Sequence, residues 1–356
     1  MSDCRQEARR KSSSVILGCA LVLAALVLTG PIEYASAVDG CTQDDEQRIH
    51  RTIEYQDEVF EQIQLPDKPE ITVIINYRKD SAKPMPVMLN WFGQRDRKIT
   101  ELSKHLSLTE SMTITAKLPA RQAVMTELIE RGCALVSFQN SKPDRRPWPK
   151  GRAKWVWPTP DPAGAESFAR SAKYAPGDWG TVIDWIETRD DLRDDRIGYM
   201  GGSTTAIMGF GLISMESRIT CAALIAGSGS MREFVEGWKR NYSWKEKGFD
   251  VWPETEELFE KWDPILFVDR IFPTALLIIN GSDDKIIPIE SVRHYYDAIR
   301  PHYAKDPDRL QFVVFEGAGH GWDQKWNTFM VVDWFDRYLI QDEAPKPRPR
   351  RVPKTK

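Results

Sequence analysis

Three segments of this sequence hold, in order, the parts of an activated nucleophile. The first runs Arg196-Ile197-Gly198-Tyr199-Met200-Gly201-Gly202-Ser203-Thr204-Thr205-Ala206. A short apolar strand enters a glycine pair, then a serine, then residues that suit a helix. That order predicts a strand–turn–helix with Ser203 on a sharp turn and its hydroxyl exposed. A neutral hydroxyl is a poor nucleophile and needs a base within hydrogen-bond reach and a third group to orient that base. Two later segments offer both. Asp284 follows an apolar strand in Ile278-Ile279-Asn280-Gly281-Ser282-Asp283-Asp284, and His320 follows the last strand in Phe315-Glu316-Gly317-Ala318-Gly319-His320.

Each residue also has a plainer reading. Ser203 could serve only as a helix N-cap, a role serine often fills. Asp283 is the rival of Asp284, and the spacing Gly-x-x-Asp-x-x-Ile-Pro favours Asp284 as the group that orients the base. Of the five histidines, His50 reads as preceding the fold, and His105 as lying between a strand and a helix. His294 and His302 fall on one predicted helix. Only His320 follows the final strand, flanked by glycines that let a loop carry the ring over the serine. An oxyanion hole needs backbone N–H groups aimed at developing negative charge. Thr204 supplies one at a helix N-terminus, and Phe92, after the strand ending Asn90-Trp91, is the candidate for the other.

The elements that would position these groups alternate in type. Strands are predicted at Ile71–Tyr77, Pro86–Trp91, Cys133–Phe138, Arg196–Met200, Cys221–Ala226, Ala275–Asn280 and Gln311–Phe315. Helices are predicted over 119–131, Trp179–Thr188, the stretch after Ser203, Glu290–Tyr303 and Trp326–Ile340. Such alternation implies an α/β fold with a mostly parallel sheet covered by helices on both faces. Ligands of open α/β sheets lie at the carboxyl ends of the strands, and all three candidates sit just past such an end. Two stretches break the rhythm. Residues 140–163 read as a basic loop carrying Trp148, Trp155 and Trp157, whose rings could stack on sugars or aromatic acyl groups. Residues 229–265 carry Phe234, Trp238, Tyr242, Trp244, Phe249, Trp252 and Trp262 among charges and read as a small inserted cap.

On the motifs DDRIGYMGGS, LIINGSDDKIIP and EGAGHGW the chain resembles the α/β-hydrolase superfamily, over about residues 55–340. Within it, the resemblance is to the esterase, dienelactone-hydrolase and prolyl-oligopeptidase-like branch. The resemblance implies a serine hydrolase, usually of esters, with no metal or organic cofactor. Two positions depart from the family. Thr205 stands where the elbow pattern Gly-x-Ser-x-Gly has its last glycine, so a β-branched side chain must fit where strand and helix pass closely. Asn90-Trp91 stands where the family often has His-Gly before the oxyanion residue.

Composition fits a globular chain, with 41% hydrophobic and 28% charged residues among 356, and excludes a disordered one. Arg9, Arg10 and Lys11, the apolar run Val15–Leu28 and the small residues Ala35-Ser36-Ala37 read together as a secretory signal over 1–37, cut before Val38. The run is shorter than the roughly 18 residues of a spanning helix, so membrane contact is expected only if the segment stays uncleaved. Gly18-Cys19 also resembles a lipoprotein site, but inside the apolar run. The hydrolase domain is assigned to 38–343. A basic, proline-rich tail, 344–356, is read as disordered. Cys41, Cys133 and Cys221 would remain after cleavage, and their spacing makes neither a disulfide framework nor a zinc site. No segment resembles a nucleic-acid-binding motif.

These observations predict a secreted or periplasmic hydrolase of a small-molecule carboxylic ester, working through Ser203, His320 and Asp284. Two alternatives stand beside it: a peptidase of the same fold acting on short peptides, and a non-catalytic binding protein that kept the fold. The sequence leaves the oligomeric state open.

Overall fold

The computed structural model describes residues 50–55, 57–90, 119–140, 160–320 and 325–341. Nine strands make one sheet within them: β1 His50–Tyr55, β2 Glu58–Leu65, β3 Lys68–Arg78, β4 Met85–Asn90, β5 Ala134–Asn140, β6 Leu192–Gly202, β7 Ile219–Ile225, β8 Ala275–Gly281 and β9 Leu310–Phe315. Their order is β1-β2-β3-β5-β4-β6-β7-β8-β9. The first three strands pair antiparallel with one another, as does β3 with β5, and every pairing from β5 through β4 to β9 is parallel.

The helices are α1 Pro119–Glu130, α2 Pro162–Ile186, α3 Thr204–Met215, α4 Met231–Asn241, α5 Trp244–Lys247, α6 Pro253–Trp262, α7 Ile289–Ile299 and α8 Lys325–Phe335. They cover both faces of the sheet. β7 and β8 are buried at every position, so their side chains alternate between two apolar layers. Leu224 and Ile278 join Phe168, Trp179 and Phe210 on one face, while Ile225 and Ile279 join Leu128, Val331 and Phe335 on the other.

The structure corrects the sequence reading in two places. His50 does not precede the fold: it opens β1, an edge strand that was not predicted, as β2 was not. The predicted helix at Trp179 begins seventeen residues earlier, at Pro162, so it occupies the end of the stretch read as loop. Asp161 caps it by accepting from the Gly164 N–H at 2.8 Å, with Pro162 at the first turn. Pro176 lies inside this helix and cannot donate to the Ala172 carbonyl. That carbonyl instead faces α3 at Gly211, where a Cβ would lie 2.4 Å from it. The freed acceptor therefore sits against a close helix–helix crossing that only glycine permits.

The basic loop tryptophans Trp148, Trp155 and Trp157, His105, the signal at 1–37 and the tail at 344–356 lie outside the described residues. Among the described residues, no helix is long and apolar enough to cross a membrane.

Candidate active site

β6 ends at Gly202, and α3 begins at Thr204. Ser203 joins them with φ 57° and ψ −123°, a conformation L-residues rarely adopt, at a cost of about 1–3 kcal/mol held by the surroundings. Those surroundings are identifiable. The Ser203 N–H donates to the Ile225 carbonyl at 2.8 Å, and its own carbonyl accepts from Ala206 and Ile207. Gly201 is required by space, because a Cβ there would lie 2.5 Å from the Thr205 carbonyl oxygen. The Tyr199 hydroxyl donates to that same oxygen at 2.6 Å, and Tyr199 is fixed by an edge contact with the buried Trp179 ring. Next to the elbow, Ala226 also has a positive φ, of 52°, and its N–H donates to the Ile279 carbonyl. Two strained residues therefore lie side by side at the strand ends.

The loops after β8 and β9 are joined before they reach the serine. Ser282 N–H donates to the Phe315 carbonyl at 3.0 Å and Asp283 N–H to the Ala318 carbonyl at 2.9 Å, while Gly317 N–H donates to the Ser282 hydroxyl at 2.8 Å. A Cβ at Gly281 would meet the Ala318 carbonyl at 2.2 Å. This stitching sets where Asp284 and His320 stand.

Asp284 is 3% exposed. Its Oδ1 accepts the Ile286 and Ile287 N–H groups, each at 2.9 Å. Its Oδ2 lies 2.7 Å from His320 Nδ1, and His320 Nε2 lies 2.9 Å from Ser203 Oγ. With Oδ1 taken up by these two backbone donors, Oδ2 is the oxygen that faces His320 Nδ1. His320 Nδ1–H then donates to it, which leaves Nε2 to accept the Ser203 hydroxyl. Asp283, the rival, is exposed and accepts from its neighbour Ser282. The structure thus brings together Ser203, His320 and Asp284 and leaves Asp283 outside.

Thr204 opens α3, so its N–H is among the first-turn donors that have no partner within the helix. Phe92 lies outside the described residues.

The 229–265 insertion forms α4, α5 and α6, and α4 packs tightly on the turn that holds Asp284. Trp238 Nε1–H donates to the Ile286 carbonyl at 2.6 Å, and Asn241 Nδ2 donates to the Lys285 carbonyl at 3.1 Å. A Cβ on Gly237 would lie 2.3 Å from Pro288 Cγ. Trp238 and Trp244 are buried, so these two rings are core of the insertion rather than open surface. Trp238 packs on Phe168 and Phe234, and Trp244 donates to the Pro160 carbonyl. Burial, and secondarily the Asp284 charge, pushes the nearby Tyr242 phenol up. At the far end of α4, the buried Asp263 accepts the Met231 and Arg232 N–H groups at 2.9 and 3.0 Å. Burial raises its carboxyl to about 6 against those hydrogen bonds. Sequence patterning carried no signal for Trp238 or Asp263 as supports, because both act across more than thirty residues of chain.

A mostly parallel sheet with a strained serine at the turn after β6, and an aspartate and a histidine on loops after β8 and β9, is the α/β-hydrolase fold. The comparisons agree with it. The prolyl oligopeptidase family matches residues 170–341, just under half of the chain. "Putative esterase YitV" of Bacillus subtilis (strain 168) is 28% identical over 165 residues, 45% of this chain and 64% of that protein. The match therefore spans less than two thirds of that relative. Among solved structures, a PEG-bound cold-adapted esterase from an Arctic intertidal metagenomic library superposes with a TM-score of 0.51 at 14% identity, covering 81% of this chain and 97% of that one. TT1662 from Thermus thermophilus superposes with a TM-score of 0.52 at 22% identity, covering 79% and 97%. At these identities the solved structures speak to the fold.

Proposed function

We propose that this protein is a serine hydrolase that cleaves a carboxylic ester of a small molecule. The observation that carries the reading is the hydrogen-bonded line from Ser203 Oγ to His320 Nε2, and from His320 Nδ1 to Asp284 Oδ2, at the carboxyl ends of three parallel strands. In this mechanism Ser203 Oγ attacks the ester carbonyl carbon as its proton passes to His320 Nε2. The carbonyl π electrons pass to oxygen, and the oxyanion is held by the Thr204 N–H and by the second N–H, which the sequence assigns to Phe92. Collapse breaks the C–O bond, and the proton on His320 leaves with the alcohol. Water, losing its proton to His320, then attacks the acyl-enzyme and releases the acid and Ser203. Asp284 holds the imidazole tautomer and stabilises the imidazolium.

The test is a fluorophosphonate probe on the protein and on Ser203→Ala, with turnover of a simple ester measured in parallel. Labelling and turnover confined to the wild type support the reading. Turnover retained by Ser203→Ala would overturn it.

A second reading, cleavage of short peptides, draws on the prolyl oligopeptidase match across residues 170–341. Rates on aminoacyl-amides against the matching esters separate the two. A folded wild type that takes no probe would instead favour a binding protein that kept the fold. We further propose export, with residues 1–37 removed before Val38. N-terminal sequencing of the protein recovered from a secreting host tests it, and a chain that keeps residues 1–37 would refute it.

A further inference from the structure

Thr205 occupies the position where the elbow pattern has glycine, and its side chain does more than fit. A threonine hydroxyl can donate once and accept at its lone pairs. Here it does both to one residue: Thr205 Oγ1–H donates to the Gly202 carbonyl at 3.0 Å, and Gly202 N–H donates to Thr205 Oγ1 at 2.8 Å. The first bond fixes the peptide plane between Gly202 and Ser203, and the second fixes the plane between Gly201 and Gly202. Rotation of the Gly202–Ser203 plane is coupled to the Ser203 φ, which is the strained angle of 57°. The main chain of Thr205 is itself held, because its carbonyl accepts the Tyr199 hydroxyl at 2.6 Å. A threonine hydroxyl bonding back to a carbonyl three residues earlier is common in first helical turns. What sets this one apart is that both of its bonds go to the residue immediately before the serine.

We propose that Thr205 is a positioning residue, a side-chain staple that holds the turn carrying Ser203 in its reactive geometry. The proposal rests on Ser203 being the nucleophile of an ester hydrolase. The hydroxyl supplies a restraint that a glycine at this position lacks, so the departure from the pattern stiffens the elbow instead of loosening it.

The experiment compares Thr205→Val, which keeps the shape and removes both bonds, with Thr205→Ser, which keeps the hydroxyl, and Thr205→Gly, which restores the family residue. Ester turnover is read together with amide exchange of Gly202 in glycine-labelled protein. The expected result is a kcat lowered about tenfold in the Val and Gly variants with KM unchanged. The Ser variant should recover most of that kcat, and Gly202 protection should be lost in Val and kept in Ser. A Val variant with wild-type kcat and wild-type Gly202 protection overturns the proposal, as does a Ser variant that loses as much as Val. Should Val fail to fold, the Ser-against-Gly pair decides in the same way. A wild type with no esterase activity and no fluorophosphonate labelling would refute the function proposed above. Gly202 protection would still decide the staple, and equal protection in wild type and Val would overturn it.

Discussion

Gly201→Ala tests whether the elbow owes its shape to a close approach of backbone on backbone. An alanine Cβ would sit 2.5 Å from the Thr205 carbonyl oxygen, 2.7 Å from its carbonyl carbon and 2.8 Å from the Ala206 nitrogen. All three atoms belong to the peptide that begins α3, so no side chain can turn aside. The helix start must retreat by roughly half an ångström or more, and overpacking of this kind costs about 1–3 kcal/mol. Ser203 moves with that peptide, because its carbonyl accepts from Ala206 and Ile207. A displacement of about 1 Å at reacting groups can cost about 100-fold in rate, so a shift of half that size predicts a kcat loss of about tenfold or more, with KM little changed. Gly177→Ala is the control. Gly177 lies inside α2 with no heavy atom within 4 Å of the added Cβ, and exchanging glycine for alanine in a helix interior gains about 0.5–1 kcal/mol. Steady-state ester kinetics and thermal denaturation of both variants give the answer. The melting temperature should fall for Gly201→Ala and rise for Gly177→Ala. A Gly201→Ala protein with wild-type kcat and melting temperature would refute the reasoning.

Other outcomes follow from the same geometry. Trp238→Phe keeps a ring against Phe168 and Phe234 but leaves the Ile286 carbonyl without its indole donor, an orphaning that costs about 1–3 kcal/mol. Stability should drop, and kcat should fall as the turn holding Asp284 loosens; an unchanged kcat would confine Trp238 to packing. Asp263, raised by burial to about 6 in the folded chain from the ordinary 3.8 of an aspartate, binds more protons folded than unfolded between those values. Its contribution is therefore fully present below about pH 4 and lost as pH rises through 6, a swing of order 3 kcal/mol. The difference in unfolding free energy between wild type and Asp263→Asn, followed across that window, should show this slope, and a flat difference would contradict it. Burial pushes the thiols of Cys133, to about 12, and of Cys221 well up. Peptide mapping should find both unalkylated in the native protein and modified after denaturation, and rapid native modification of either would contradict its burial.

Ser203, Asp284 and His320 were legible in the sequence because each follows a short run without charge at a strand's end, residues 197–200, 275–279 and 312–315. A parallel strand buried on both faces leaves that mark in the chain itself, and so do the glycines around the turns that follow. The choice of Asp284 over Asp283 also came from local spacing, and the structure brings Asp284 to His320. The edge hairpin was not legible for the opposite reason. Glu61 and Gln62 are buried in β2, which destroys the apolar pattern. What makes Glu61 tolerable there is remote in the chain: burial works against its charge, but bonds from Arg189 and the Tyr77 hydroxyl hold its carboxyl below the usual range. The length of α2 was hidden by Pro176, a local breaker inside the helix, and its freed Ala172 carbonyl lies against Gly211 of α3. Thr205 read from sequence as a residue needing room, and only the fold turns its hydroxyl onto Gly202. The sequence by itself thus determined the succession of strands from β3 to β9 and the reactive side chains at their ends, since burial and turn chemistry are written in neighbouring residues. The tertiary structure alone decided which supports hold those side chains. Hydrogen bonds such as Trp238 to Ile286, and contacts such as Gly237 against Pro288, join residues that become neighbours only when the chain has folded.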